Sequence, residues 1–150
     1  MTGSELIFYH APHSRALAVN ILLEELGVPF ERRVLNLTKN EQRQPAYLAV
    51  NPMGKVPAIV HNGALVTEQV AIFIYLADAF PSAGLAPALA DRADYYRWMF
   101  FAAGPVEQAI TAKHFGIEPD ADQQRPERQG FDGDASDFIQ PTTRLCSLPP

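Results

Sequence analysis

Apolar and polar positions change period several times along the chain, and each change marks an element. Leu6-Ile7-Phe8-Tyr9 is a short apolar run rich in aromatic and β-branched residues, followed by the breaker Ala11-Pro12, and predicts a buried strand. Ser14 is a good N-cap, and apolar residues recur at Leu17, Ile21, Leu22 and Leu26 until Gly27 and Pro29 supply a stop, so a helix is expected. Residues 30–35 suit a second strand, giving a β-α-β opening with a short crossover. Residues 38–51 are polar and then semi-helical, and predict a short irregular helix. Residues 56–60 and 64–66 flank His61-Asn62-Gly63 and read as an antiparallel hairpin with a tight Asn-Gly turn. A strongly apolar helix is expected from Glu68 to Phe80, carrying Val70, Ile72, Phe73, Ile74 and Leu76 and stopping at Pro81.

The order β-α-β-(α)-β-β-α, parallel strands first and a hairpin second, predicts an α/β domain over residues 1–80 with a mixed four-stranded sheet and helices on its faces. That is a thioredoxin-like arrangement. Residues 81–90 read as a linker, and Asp91, with Asp94 three residues on, as the N-cap of a further helix. Tyr95, Met99, Ala102, Val106 and Ala109 fall at helical spacing to about Phe115, with a kink expected at Gly104-Pro105. Residues 91–128 are read as an incomplete all-α second domain. Residues 129–150 lack periodic apolar positions and are read as an atypical, irregular tail.

Composition narrows the function. The formal charge of −5 leaves no basic surplus for a phosphate backbone, so nucleic acid is not an expected partner. One cysteine, Cys146, excludes an internal disulfide and any Cys-x-x-Cys or zinc-ligand set, and no metal is expected. The N-terminus carries Glu5 where a signal peptide would be basic, and no apolar run approaches a membrane span, so a cytoplasmic, non-membrane protein is expected.

The chemistry concentrates in two stretches, Asn51-Pro52-Met53-Gly54-Lys55-Val56-Pro57-Ala58-Ile59 and Thr67-Glu68-Gln69-Val70-Ala71-Ile72. A proline at the mouth of a strand cannot donate to the ladder, and a cis Val56-Pro57 bond there would turn the Val56 N–H and C=O outward to pair with an extended peptide. Glu68, at a helix start, would set a carboxylate beside unpaired backbone N–H groups, which suits a ligand bearing both an amine and a carboxylate. Lys55 adds a cation for a second carboxylate. Each signal alone has a plain structural reading: a turn into a strand for Val-Pro, a favourable first-turn acid for Glu68.

Taken in this order, these residues resemble the glutathione transferase family. FYHAPHSRALAVNILLEELGVPFE is similar to its first strand, catalytic loop and first helix, NPMGKVPAI and TEQVAIFIYLAD to its cis-proline and γ-glutamyl motifs, and DRADYYRWMFFAAGP to the first helix of its all-α domain. The nearest branches are the bacterial, serine-type theta- or zeta-like ones, and the helical domain looks cut short. The resemblance implies glutathione as co-substrate, with no prosthetic group. Val56 would pair with its cysteinyl part, Pro57 would be the cis-proline, Glu68 would hold the γ-glutamyl amine, and the Gln69 N–H its carboxylate. Lys55 and Gln42 would face the glycyl carboxylate.

The catalytic group is expected at the N-terminus of the first helix, where a thiolate gains from the helix dipole and unpaired N–H donors. Ser14 stands there; Tyr9, at the end of the first strand, is the alternative hydroxyl. Lowering a thiol pKa from ~8.5 by about two units takes only ~2.7 kcal/mol of preferential thiolate stabilisation. The plain reading of Ser14 is an N-cap worth ~1 kcal/mol. The absence of cysteine from this loop argues against glutaredoxin or thioredoxin chemistry. His13 and Phe101 are the candidates for an acceptor pocket; most of the aromatic cluster 95–101 is expected in the core. The resemblance further implies a homodimer that conjugates glutathione to a small electrophile or peroxide, or else a non-catalytic glutathione-binding fragment if the short helical domain removes activity.

Overall fold

The computed structural model describes residues 5–117; the expectations for residues 118–128, for the tail 129–150 and for Cys146 lie outside these. The chain divides into two compact units, residues 1–107 and 108–150.

The first unit opens with β1 (Leu6–His10), α1 (Ala16–Leu26) and β2 (Glu31–Val34). Two 3-10 turns, Leu37–Lys39 and Glu41–Arg43, lead into the single-turn α2 (Pro45–Leu48), where a short irregular helix is expected. β3 (Ala58–His61) and β4 (Ala64–Thr67) form the hairpin, and α3 (Gln69–Ala79) follows. The sheet order is β2-β1-β3-β4, with β1 and β2 parallel and the other two pairs antiparallel. This is the thioredoxin-like mixed sheet. At the hairpin tip Asn62 and Gly63 have φ of 51° and 83°, the two left-handed residues that a type I′ turn requires.

Alternation along the strands loads the two faces differently. Leu6, Phe8 and Ile59 point to one face and pack with Ala16, Val19 and Leu23 of α1 and Ile72 and Leu76 of α3. Ile7, Tyr9 and Ala58 point to the other, where Tyr47 of α2 covers them. The buried stripe of α1 is therefore Ala16, Val19 and Leu23, whereas Leu17 and Ile21 are 56% and 55% exposed. Glu24 and Glu25 lie exposed on the same side of the helix as Leu17 and Ile21, and Leu22 and Leu26 pack with the buried stripe against the core, so the polar positions mark the side that α1 turns away from the sheet.

The first unit extends past the expected linker to residue 107. Arg92 ties the segment down: its guanidinium donates to both carboxylate oxygens of Asp78 in α3, to the Pro87 carbonyl at 3.1 Å and to the Tyr96 hydroxyl at 3.2 Å. α4 (Arg92–Phe101) begins after Asp91, but the Asp91 side chain makes no capping bond, contrary to the N-cap role expected for it. The kink expected at Gly104-Pro105 takes the form of a π turn over Ala102–Val106, which absorbs the missing proline N–H. α5 (Glu107–Phe115) then resumes α-helical geometry. No residue of α4 is fully buried, and Phe100 is 62% exposed, so the aromatic cluster is half-covered rather than core. No described helix is long and apolar enough to cross a membrane.

Candidate functional site

Sheet register gathers the candidate residues. Tyr9 pairs with Ala58, and Ala58 with Thr67, so these three lie side by side across β1, β3 and β4. From that one rung β1 runs out through His10 into the loop bearing Ser14, β3 is entered through Val56 and Pro57, and β4 leaves into Glu68 and Gln69. Three segments far apart in sequence thus converge on one end of the sheet.

The Val56-Pro57 bond is cis, as expected from the motif. The segment before it is wound around Asn51, which is 2% exposed. Its Oδ1 accepts from the Met53 N–H at 3.1 Å, its carbonyl from the Gly54 N–H at 2.9 Å, and its Nδ2 donates to the Lys55 carbonyl at 2.9 Å. The same Lys55 carbonyl accepts from the Tyr47 hydroxyl at 2.5 Å. Gly54 has φ of 59° and lies so close to the 41–43 turn that a Cβ would stand 2.8 Å from the Gln42 carbonyl oxygen. This approach sets the Gln42 backbone against Gly54, the residue before Lys55. The Gln42 Oε1 is buried with no partner among the described residues, an acceptor in need of a donor.

Glu68 adopts φ 67° and ψ 126°, a conformation that costs a non-glycine residue of order 1–3 kcal/mol. Its carbonyl accepts from the Ile72 N–H at 2.9 Å, while its exposed side chain makes no capping bond. The backbone thus spends conformational energy to present Glu68 just ahead of the N–H groups of Gln69 and Val70, which open α3 and have no intrahelical partner.

Ser14 is half-buried. Regular α1 begins two residues later, with Arg15 at the cap position, so Ser14 is not its standard N-cap. Its Oγ nevertheless accepts from the Ala16 N–H at 3.2 Å and donates to the Ala11 carbonyl at 2.7 Å. Tyr9 is 5% exposed, packs against Tyr47 at a ring separation of 5.2 Å, and its oxygen accepts from Arg33 at 3.1 Å. Of the two hydroxyls, Ser14 is therefore the accessible one. His13, exposed with φ of 57°, lies on the same loop. Phe101 is set by an edge-to-face contact with Trp98 at 5.6 Å. Glu107 reaches the loop, its carboxylate meeting Arg15 at 2.7 Å. Two isolated charges 92 positions apart carry no sequence signal of that pairing.

Burial, and secondarily the Arg32 charge, lower the pKa of His10 below its ordinary value of 6.5. The unfolded chain then binds the proton more readily, so His10 contributes stability that is present above that value and lost as pH falls below it. In urea titrations at pH 7.5 and 5.5, His10→Asn should therefore lose less stability on acidification than the parent chain; an equal loss in both would remove His10 as the cause.

A family model described as the N-terminal domain of glutathione S-transferase matches residues 4–78, half of the chain. Glutathione S-transferase 1 of Schizosaccharomyces pombe is 35% identical over 103 residues, 65% of this chain and 45% of that protein. Glutathione S-transferase F10 of Arabidopsis thaliana is 38% identical over 82 residues, 53% of this chain and 38% of its own. Among solved structures, a glutathione transferase homologue from Sulfitobacter with bound glutathione matches with a TM-score of 0.64 at 28% identity, over 90% of this chain and 68% of that one. A glutathione S-transferase from Xylella fastidiosa matches with a TM-score of 0.64 at 32% identity, over 82% and 59%. The chain spans less than half the length of these two curated relatives.

Proposed function

Because the chain belongs to the glutathione S-transferase family through its N-terminal domain, we propose that it binds glutathione at the β1-β3-β4 end of its sheet and activates the thiol for attack on a small electrophile. The observation that carries this reading is the strained Glu68 beside the open start of α3, one rung across from the Val56-Pro57 edge. A carboxylate next to unpaired N–H groups matches the γ-glutamyl group, which carries an amine and a carboxylate on one carbon. The Gln69 N–H would take that carboxylate, the Val56 main chain the cysteinyl amides, and Lys55 and Gln42 the glycyl end.

In the reaction proposed, the glutathione S–H proton leaves to water and the Ser14 hydroxyl turns from the Ala11 carbonyl to donate to the sulfur. The exchange replaces a neutral hydrogen bond by a charge-assisted one, which is roughly twice as strong. The thiolate electron pair then forms a bond to the acceptor carbon as its leaving group departs, or to a peroxide oxygen as the O–O bond breaks. His13 and Phe101 are proposed for the acceptor side. We assign the chain to a serine-type branch, acting as a cytoplasmic homodimer.

Glu68→Gln tests the site, since it keeps the shape and removes the charge. Glutathione affinity measured by calorimetry should fall about 10- to 100-fold, the worth of one charge-assisted hydrogen bond of ~1.5–3 kcal/mol. Unchanged affinity would remove the γ-glutamyl assignment. Saturable binding without turnover of any electrophile would instead favour a non-catalytic glutathione-binding protein.

A further inference from the structure

We infer that Tyr47 and Asn51 are positioning residues for glutathione, acting together on the Lys55 carbonyl to aim the Val56 N–H at the bound peptide. The inference rests on the reading of the Val56 edge as the glutathione edge. Neither side chain need touch the ligand: Tyr47 is 3% and Asn51 2% exposed, one against the β1-β3 face and the other inside the 51–55 turn. Both donate to one acceptor, the Lys55 carbonyl, at 2.5 and 2.9 Å.

The geometry of the peptide unit gives this convergence its meaning. Lys55-Val56 is an ordinary trans peptide, in which C=O and N–H point in opposite directions across a rigid plane. Two donors that draw the Lys55 oxygen inward therefore turn the Val56 hydrogen outward. Among the described residues no backbone carbonyl takes the Val56 N–H. A rigid outward donor suits an extended peptide adding along the edge, and its direction is set by side chains 5 and 9 positions upstream. The Asn51 orientation is itself unambiguous, because Met53 presents a donor to one side of the amide and Lys55 an acceptor to the other.

A purely structural role predicts something different. Loss of one buried hydrogen bond lowers the folding equilibrium constant about fivefold, which still leaves a domain of ordinary stability almost wholly folded. Affinity for glutathione would then not change, because apparent affinity falls only with the binding-competent fraction. A positioning role predicts weaker binding at nearly full folding.

The test compares the 150-residue chain with Tyr47→Phe, which removes only the donor. Glutathione Kd by calorimetry should rise about fivefold to tenfold, and the same factor should appear in KM, with kcat at saturating glutathione within about twofold. An unchanged Kd in a wild-type chain that does bind glutathione would overturn the inference and leave the proposed function standing. A wild-type chain that binds no glutathione would remove both. Amide exchange on the wild-type protein provides the second measurement, whatever Tyr47→Phe does to folding: the Val56 N–H should exchange readily without ligand and be protected at saturating glutathione. A Val56 amide already protected without ligand, or unprotected with it, would overturn the inference.

Discussion

Ser14→Ala is expected to lower kcat for conjugation of a generic aryl halide about 100-fold while glutathione Kd stays within about threefold, as read by steady-state kinetics and calorimetry. The reasoning follows from where the hydroxyl sits. It is half-buried at the entrance to α1, accepts from the Ala16 N–H, and has a proton that can be redirected from the Ala11 carbonyl. In the proposed binding mode, removing it deletes a donor to the thiolate but no contact with the rest of the tripeptide. The bound thiol should then ionise at higher pH, so the rise of kcat with pH should move toward alkaline values. Tyr9→Phe supplies the opposing case. The Tyr9 oxygen is engaged by Arg33 on the face covered by Tyr47, and turnover should be nearly unaffected by its loss. Full activity in Ser14→Ala with a collapse in Tyr9→Phe would exchange the two roles.

Gly54→Val should produce the largest loss of stability, about 3 kcal/mol or more, and with it the loss of glutathione binding. Two costs combine. A β-branched residue at φ 59° is strained by roughly 1–2 kcal/mol, and its Cβ would meet the Gln42 carbonyl at 2.8 Å and the Arg43 side chain at 3.0 and 3.1 Å. Backbone cannot swing aside as a flexible side chain can, so the 41–43 turn and the Lys55 segment must separate. A fall of roughly 10–20 °C in the thermal midpoint is expected from those costs for a domain of this size. Gly63→Val makes the comparison clean, because Gly63 shares the positive φ but has no atom within 4 Å of the same Cβ position. Equal losses in both variants would show that conformation alone matters and that the close approach at Gly54 contributes nothing.

How far the sequence could be read depended on whether its signals were local. The Asn62-Gly63 turn and the stop of α3 before Pro81 each rest on the stereochemistry of one or two residues and were legible, and the cis Val56-Pro57 bond came with the family motif. The buried stripe of α1 was legible only in part: counting large apolar residues picks Leu17 and Ile21, whereas Glu24 and Glu25 on their side of the helix mark it as the exposed one. Asp91 had the right type and spacing for a cap, but the chain enters α4 from a 3-10 turn that leaves its carboxylate unused. At the site, the sheet register draws the segments of Ser14, Val56 and Glu68 to one end, and their candidacy came from local motifs and the family resemblance. The parts played by Tyr47, Asn51 and Glu107 did not, since each acts through a partner that only the folded chain brings within reach.

The common rung of Tyr9, Ala58 and Thr67 has a practical corollary for anyone wishing to alter the protein. Everything proposed to touch the tripeptide hangs from that end of the sheet, while the Asn62-Gly63 tip lies at the far end of the same strands, roughly 13 Å away at ~3.3 Å per residue. The Gly63 side of the tip has open space around it. An affinity tag, fluorophore or surface linker attached there would leave the ligand-bearing end untouched, whereas the same graft at either junction of residues 10–16 or 54–57 would enter it.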